Sequence, residues 1–142
     1  MGAKFYSDGS SFRLPDKGRA TKWLGRVAES EGRRFGAVNF IFCGPERHLE
    51  MNRHYLGHDW PTDVITFDYS SEGEVSGDIF IDPETVAENA AALCVAPEVE
   101  MRRVMVHGVL HLCGFDDKTP RQRRAMRAKE DFYLARYYGE TV

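Results

Sequence analysis

The chain has 142 residues and a mass of 16.2 kDa, with 42% hydrophobic, 12% aromatic and 29% charged residues. That is one domain's worth of sequence (1–142), and its mixed charge and many aromatics exclude a disordered polymer. The net charge of −3 argues against broad coating of nucleic acid, although a local field can differ from the mean.

Residues 4–6 form a short first strand. A helix runs from Pro15 to Glu31, with Pro15 in its first turn and Ala20, Trp23, Leu24, Val27 and Ala28 as its apolar stripe. The segment 34–43 reads as a buried strand, because Val38, Phe40, Ile41 and Phe42 leave little polar face. A short helix covers Pro45 to Arg53. Strands follow at 63–69 and 77–82, joined by the polar, glycine-bearing stretch 70–76. Asp82 is placed to cap a helix over 83–93, Pro97 opens another that Gly114 stops, and Thr119-Pro120 opens a last one reaching about Tyr138. Strands cluster early and helices late. The expected class is α+β, a small mixed sheet of about four strands packed against about five helices.

No apolar run approaches the ~18–20 residues of a membrane span, and the start MGAKFYSDGS has no apolar signal region. Cys43, Cys94 and Cys113 form no C-x-x-C pair and read as reduced, buried thiols of a cytoplasmic protein.

The chemistry concentrates in His107-Gly-Val-Leu-His111-Leu-Cys-Gly114-Phe-Asp116-Asp117. On a helix, positions four apart share one face, so two imidazoles there can reach one metal ion. Gly114 lets the chain turn back, and an aspartate can then arrive as a third ligand, leaving a fourth position open. Spacing alone leaves Asp116 and Asp117 both open for that role, with Asp116 alternatively bonding a ligand histidine. Two histidines four apart arise by chance in roughly one of six shuffled chains of this composition. Adding the glycine and the aspartate cuts that to about one in a thousand. A second pair, His54 and His58, spans Gly57 and reads as loop. Metzincin proteases share the spacing, but they carry a glutamate after the first histidine as general base, and here that position is Gly108.

At this point the chain resembles a family. His107 to Asp117 is similar to the H-G-x-L-H-L-x-G-[YF]-D-H signature of YbeY-type endoribonucleases, the rRNA maturation factors. Leu49 to Tyr55 and Thr62 to Phe67 resemble that family's L-N-x-x-Y and T-[DN]-V-[LI]-[ST]-F segments. Gly77-Asp78-Ile79 matches its G-D-I strand, and Met126 and Glu130 match an M-x-x-x-E pair in its last helix. The resemblance implies an endoribonuclease specific for single strands and dependent on one Zn2+ ion, held by His107, His111 and Asp117. It implies action in 16S rRNA 3′-end maturation and ribosome quality control in a bacterial cytoplasm. Its partners would be rRNA and the ribosome or small subunit, with no DNA and no membrane.

Two positions depart from the family pattern. Asp117 stands where the family has histidine, which lowers the net charge of a zinc site from about +2 to about +1 with an ordinary oxygen ligand. Leu56 stands where many members carry an arginine suited to clamping phosphate.

The catalytic base is not identifiable from the sequence, and Asp63 and Asp116 are the candidates. Lys118, Arg121, Arg123, Arg124, Arg127 and Lys129 lie in a segment containing no acid, with Arg102 and Arg103 a turn before His107. Of these, Arg102, Arg103, Lys118, Arg121 and Arg124 are the expected substrate-binding residues, as phosphate contacts. The bland alternative is a solvated helix face. Trp60, Phe67 and Tyr69 are candidates to stack unpaired bases, against the plainer reading of core or sheet face. Met126, Glu130, Tyr133 and Tyr137 read as a packing stripe. Two competing functions remain in view: a non-enzymatic ribosome-assembly factor with a structural metal, and a metalloprotease, which Gly108 disfavours.

Overall fold

A computed structural model describes residues 2–56 and 63–139, the side chain of Leu56 excepted. Its strands are β1 (Gly2–Asp8), β2 (Arg34–Cys43), β3 (Val64–Asp68) and β4 (Glu74–Ile81). They form one mixed sheet in the order β1-β2-β4-β3. β1 and β4 each pair in parallel with β2, and β3 closes the sheet antiparallel to β4. The helices are α1 (Lys17–Ser30), α2 (Pro45–Met51), α3 (Pro83–Leu93), α4 (Pro97–Leu112) and α5 (Pro120–Gly139). This is the expected α+β class. No described helix is long and apolar enough to cross a membrane.

A parallel pair needs a crossover, and α1 supplies it between β1 and β2. Its stripe of Ala20, Trp23, Leu24, Val27 and Ala28 is buried, and the Trp23 indole donates to the Tyr133 carbonyl at 2.9 Å. β2 alternates more than its sequence suggests: Val38, Phe40 and Phe42 are buried, whereas Asn39 and Ile41 are half-buried. On the other face of β3 and β4, Phe67 packs edge-on against Phe80 and Tyr55.

α4 is the helix around which the rest is arranged. Met101, Val104, Met105, Val106, Val109, Leu110 and Leu112 are all buried, so its apolar surface runs most of the way round. It touches β3, β4, α1, α3 and α5. Ile79 and Leu110, both at 0% exposure, each contribute about 1.5–3 kcal/mol by leaving water. Gly108 makes the close approach possible. A Cβ there would sit 2.8 Å from Ile79 Cδ1 and 3.0 Å from Ile79 Cγ2.

Several boundaries differ from expectation. β1 spans seven residues rather than three, because its parallel register with β2 runs unbroken from Gly2 to Asp8. Pro15 precedes α1 instead of starting it: Asp16 takes a left-handed conformation (φ 55) and the helix begins at Lys17. β4 begins at Glu74 rather than Gly77, since a tight Ser71–Glu74 turn shortens the connection. α2 passes into a π-helical turn, Asn52–Leu56, so His54 lies in a helical turn and not in a loop. His58 and Trp60 lie outside the described residues. Cys43 and Cys113 are buried, but Cys94 is exposed at the left-handed end of α3 (φ 57), contrary to the uniform burial expected. Asp82 caps α3, its Oδ1 accepting from Glu84 N at 3.0 Å and Thr85 N at 3.4 Å.

Candidate metal centre and its cleft

α4 places His107 and His111 one turn apart, with their Nε2 atoms 3.0 Å from each other. The helix ends at Leu112, and Gly114 adopts φ 104, a conformation that costs glycine nothing and returns the chain toward the helix. Asp117 Oδ2 thereby comes within 3.3 Å of His107 Nε2 and 3.5 Å of His111 Nε2. Tetrahedral zinc, with arms of about 2.0–2.2 Å, sets its ligand atoms about 3.3–3.6 Å apart. The two edges to Asp117, 3.3 and 3.5 Å, fall within that spacing, and the His107–His111 edge of 3.0 Å lies a little below it. These three side chains could hold a metal ion, and the donor set leaves one tetrahedral position for a non-protein ligand.

The other ring nitrogen of His107 is also engaged. Nδ1 donates to Glu130 Oε2 of α5 at 2.6 Å. This fixes the tautomer that points the Nε2 lone pair at the ligand triangle. Glu130 is 5% exposed, and its second oxygen accepts from Arg103 Nη1 at 3.1 Å. Arg103 also binds Asp131 at 2.7 Å and lies 3.9 Å from Glu100. Burial disfavours the charged form of His107, yet the hydrogen bond and charge of Glu130, with Asp117 and Asp63, hold its imidazolium above the ordinary value. Burial and the neighbouring His107 push His111 the other way. Burial also raises Glu100, against the opposing charge of Arg103.

Glu130 matched the M-x-x-x-E pair of the resemblance, but sequence reasoning placed it in a packing stripe and missed its bond to His107. Its signal was present: a carboxylate among Met126, Tyr133 and Tyr137, all buried on α5, needs a partner to be buried at all. Asp116, considered for that role, lies on the cleft wall instead.

The turn carrying Asp117 is held from outside as well. Arg33 Nη2 donates to the Cys113 carbonyl at 3.0 Å, and Arg123 Nη1 to the Lys118 carbonyl at 3.0 Å. Lys129 binds Glu31 at 2.9 Å and stands 4.8 Å from the centre of the Phe115 ring. Tyr133 donates its hydroxyl to the same Glu31 carboxylate. Lys129 is thus tied behind the turn.

The triangle opens into a cleft of about 820 Å³. Asp63, Arg103, Asp116, Lys118, Arg123 and Arg127 stand on its walls with β3 along one side. The expected substrate-binding set divides. Lys118 is exposed at the cleft, Arg103 is there but tied to carboxylates, and Arg121 and Arg124 are exposed on α5 outside the cleft lining. Arg102 is corrected outright. It is 4% exposed, donates to the Glu98 carbonyl and lies 4.9 Å from the Tyr137 ring, away from the cleft. Of the aromatic candidates, Phe67 is engaged in packing and Tyr69 is 63% exposed. A protease-type base after the first histidine is sterically barred, since Gly108 faces Ile79 and not the cleft.

Comparison with known proteins gives the family of the chain. The profile of the family described as Endoribonuclease YbeY matches residues 14–138. A Bacteroides thetaiotaomicron protein named Endoribonuclease YbeY is 46% identical over 125 residues, which is 87% of this chain and 91% of that protein. Its namesake in Parabacteroides distasonis is 40% identical over 135 residues, 95% of each chain. The solution structure of TM1509 from Thermotoga maritima has a TM-score of 0.67 at 28% identity, covering 96% of this chain and 91% of that one. With the profile spanning every element from α1 to α5, this chain belongs to the Endoribonuclease YbeY family.

Proposed function

We propose that residues 1–142 act as a single metal-dependent endoribonuclease domain that cuts unpaired RNA with one zinc ion held by His107, His111 and Asp117. The observation that carries the reading is the ligand triangle, close in size to tetrahedral zinc and opening beside cationic side chains, in a chain whose relatives are named endoribonucleases. A zinc ion so held would supply Lewis acidity to offset the charge that builds up on the phosphate.

The chain's own residues do the rest. Glu130 keeps the His107 ring turned and its Nδ1 proton in place. Arg127 and Lys118 offer charge to the phosphates on either side of the cut, a contact without sequence preference that weakens with salt. Asp63 and Asp116, both on the cleft wall, are the groups proposed to accept a proton from the nucleophile. Arg121 and Arg124 extend the positive surface along α5 for a longer RNA. The biological setting we infer is 16S rRNA 3′-end maturation and ribosome quality control in the cytoplasm, with the small ribosomal subunit as partner.

The test is His111→Ala. The parent chain should bind one zinc and cut single-stranded RNA but not casein, and the variant should lose both metal and cleavage while keeping its helical circular dichroism. Metal binding by the parent with no cleavage of RNA would favour a structural metal in an assembly factor. Cleavage of casein would overturn the reading altogether.

A further inference from the structure

β3 is the last strand of the sheet, and among the described residues no strand pairs with its outer side. Which of its backbone groups point outward follows from two hydrogen bonds. Asp82 N donates to Asp63 O at 3.0 Å, and Tyr69 N donates to Ser76 O at 2.9 Å. In an antiparallel pair, residues alternate between facing the partner strand and facing away. With Asp63 and Tyr69 facing β4, the register places Ile65 and Phe67 inward as well. Val64, Thr66 and Asp68 therefore turn both N–H and C=O away from the sheet, and all three line the cleft.

This edge lies along the metal-binding helix. Asp63, at one end, lines the same cleft as His107 and Glu100. At the other end Ser70 Oγ donates to the Leu112 carbonyl at 3.4 Å. Thr66 is thus midway along the span that faces His107 and His111. The strand, V-I-T-F-D, carries neither proline nor lysine, the residues that commonly block an edge. Its outward pairs repeat every two residues, about 6.7 Å, close to the span of one nucleotide in an unstacked strand.

Each outward residue offers one donor and one acceptor side by side. Every nucleobase carries a neighbouring donor and acceptor on its Watson–Crick edge: N3–H with O2 or O4 in uracil, N6–H with N1 in adenine, N4–H with N3 in cytosine, N1–H with O6 in guanine. We propose that the outer edge of β3, centred on Thr66, hydrogen-bonds the Watson–Crick edges of unpaired bases beside the metal centre. It selects single-stranded RNA because pairing already occupies those edges, and it tolerates any sequence because every base can satisfy it. Lys118, Arg123 and Arg127 on the cleft favour a polyanion over an extended peptide as the occupant of this edge.

This inference rests on the nuclease reading, and the test separates the two. Zinc-loaded full-length protein is given a short uridine oligonucleotide and the same oligonucleotide built from N3-methyluridine. The latter stays single-stranded but has lost the donor. The methylated substrate should show kcat/KM lower by about tenfold or more, from loss of one hydrogen bond and insertion of a methyl group. Thr66→Pro removes one outward N–H and no ladder bond. It should raise KM for plain uridine substrate roughly tenfold with little change in kcat, and should blunt the methyl effect. Thr66→Val, which keeps the N–H, should keep the full methyl effect. Should Thr66→Pro lose metal or fold, the methylated substrate decides alone. Equal cleavage of plain and methylated RNA overturns the proposal while leaving the nuclease intact. So does competition by an extended peptide without any methyl effect, which would assign the edge to a protein strand. Failure of the parent chain to cut plain RNA overturns the nuclease reading, and the proposal with it.

Discussion

Replacing Glu130 with glutamine tests how the metal centre is built. The carboxylate accepts from His107 Nδ1 at 2.6 Å and from Arg103 Nη1 at 3.1 Å. A charge-assisted bond contributes about 1.5–3 kcal/mol and a neutral one about 0.5–1.5. The amide also presents only one acceptor. To keep it on His107, the NH2 group must face the Arg103 guanidinium, donor against donor. The expected loss at His107 is about 1–1.5 kcal/mol, or roughly tenfold in metal affinity at 1.4 kcal/mol per decade. That agrees with the roughly 10–100-fold cost typical of removing the hydrogen-bond partner of a ligand histidine. Arg103 keeps Asp131 at 2.7 Å, so the fold should survive. Competition for zinc against a chromophoric chelator measures the affinity, and a thermal melt checks the fold. Asp131→Asn is the control, since it touches Arg103 but not His107, and should leave zinc affinity unchanged. If Glu130→Gln holds zinc within twofold of the parent, the orienting role assigned to Glu130 is wrong.

Gly108→Ala sets two effects against each other. Alanine gains about 1 kcal/mol of helix propensity, but its Cβ would lie 2.8–3.3 Å from three atoms of the buried, β-branched Ile79. Overpacking of that kind costs about 1–3 kcal/mol, so urea denaturation should show a net loss of up to about 2 kcal/mol. A more stable variant would mean that α4 is not wedged on β4. Cys94 alone among the three thiols should react with iodoacetamide at pH 8, by intact-mass measurement, with the other two reacting only after unfolding. Burial pushes Cys43 up to about 12 and Cys113 up to about 11, from 9.0. Because both are raised in the folded state, the stability they contribute is complete below pH ~9 and declines as pH rises beyond it. Two fast-reacting thiols in the native chain would contradict the burial.

The elements and the two histidines were legible because they are local. A stripe at 3.6-residue spacing fixes α1, and His107 and His111 share a face by the geometry of one helix. What escaped depends on contacts between distant segments. Glu130 reads as part of a stripe until α5 is laid on α4. Arg102 and Arg103 are neighbours of the same type, yet one is buried against Tyr137 and the other reaches the cleft, a difference set by helix azimuth and by which acids lie opposite. The length of β1 is decided by its register with β2, and the helix start at Lys17 by the left-handed turn at Asp16. Composition could not expose the cleft either. A mean charge of −3 conceals a cleft lined by cations and carboxylates together.

The bond from His107 to Glu130 also imposes an order in time. Polypeptides are made from the N-terminus, so His107, His111 and Asp117 exist before the carboxylate that orients them. Until α5 docks on α4, the ring of His107 is free to choose the wrong tautomer, and the turn bearing Asp117 lacks the hold of Arg123 and Lys129. On a nascent chain the three candidate ligands would therefore hold a metal ion more weakly until α5 has docked, by about the tenfold expected of Glu130→Gln.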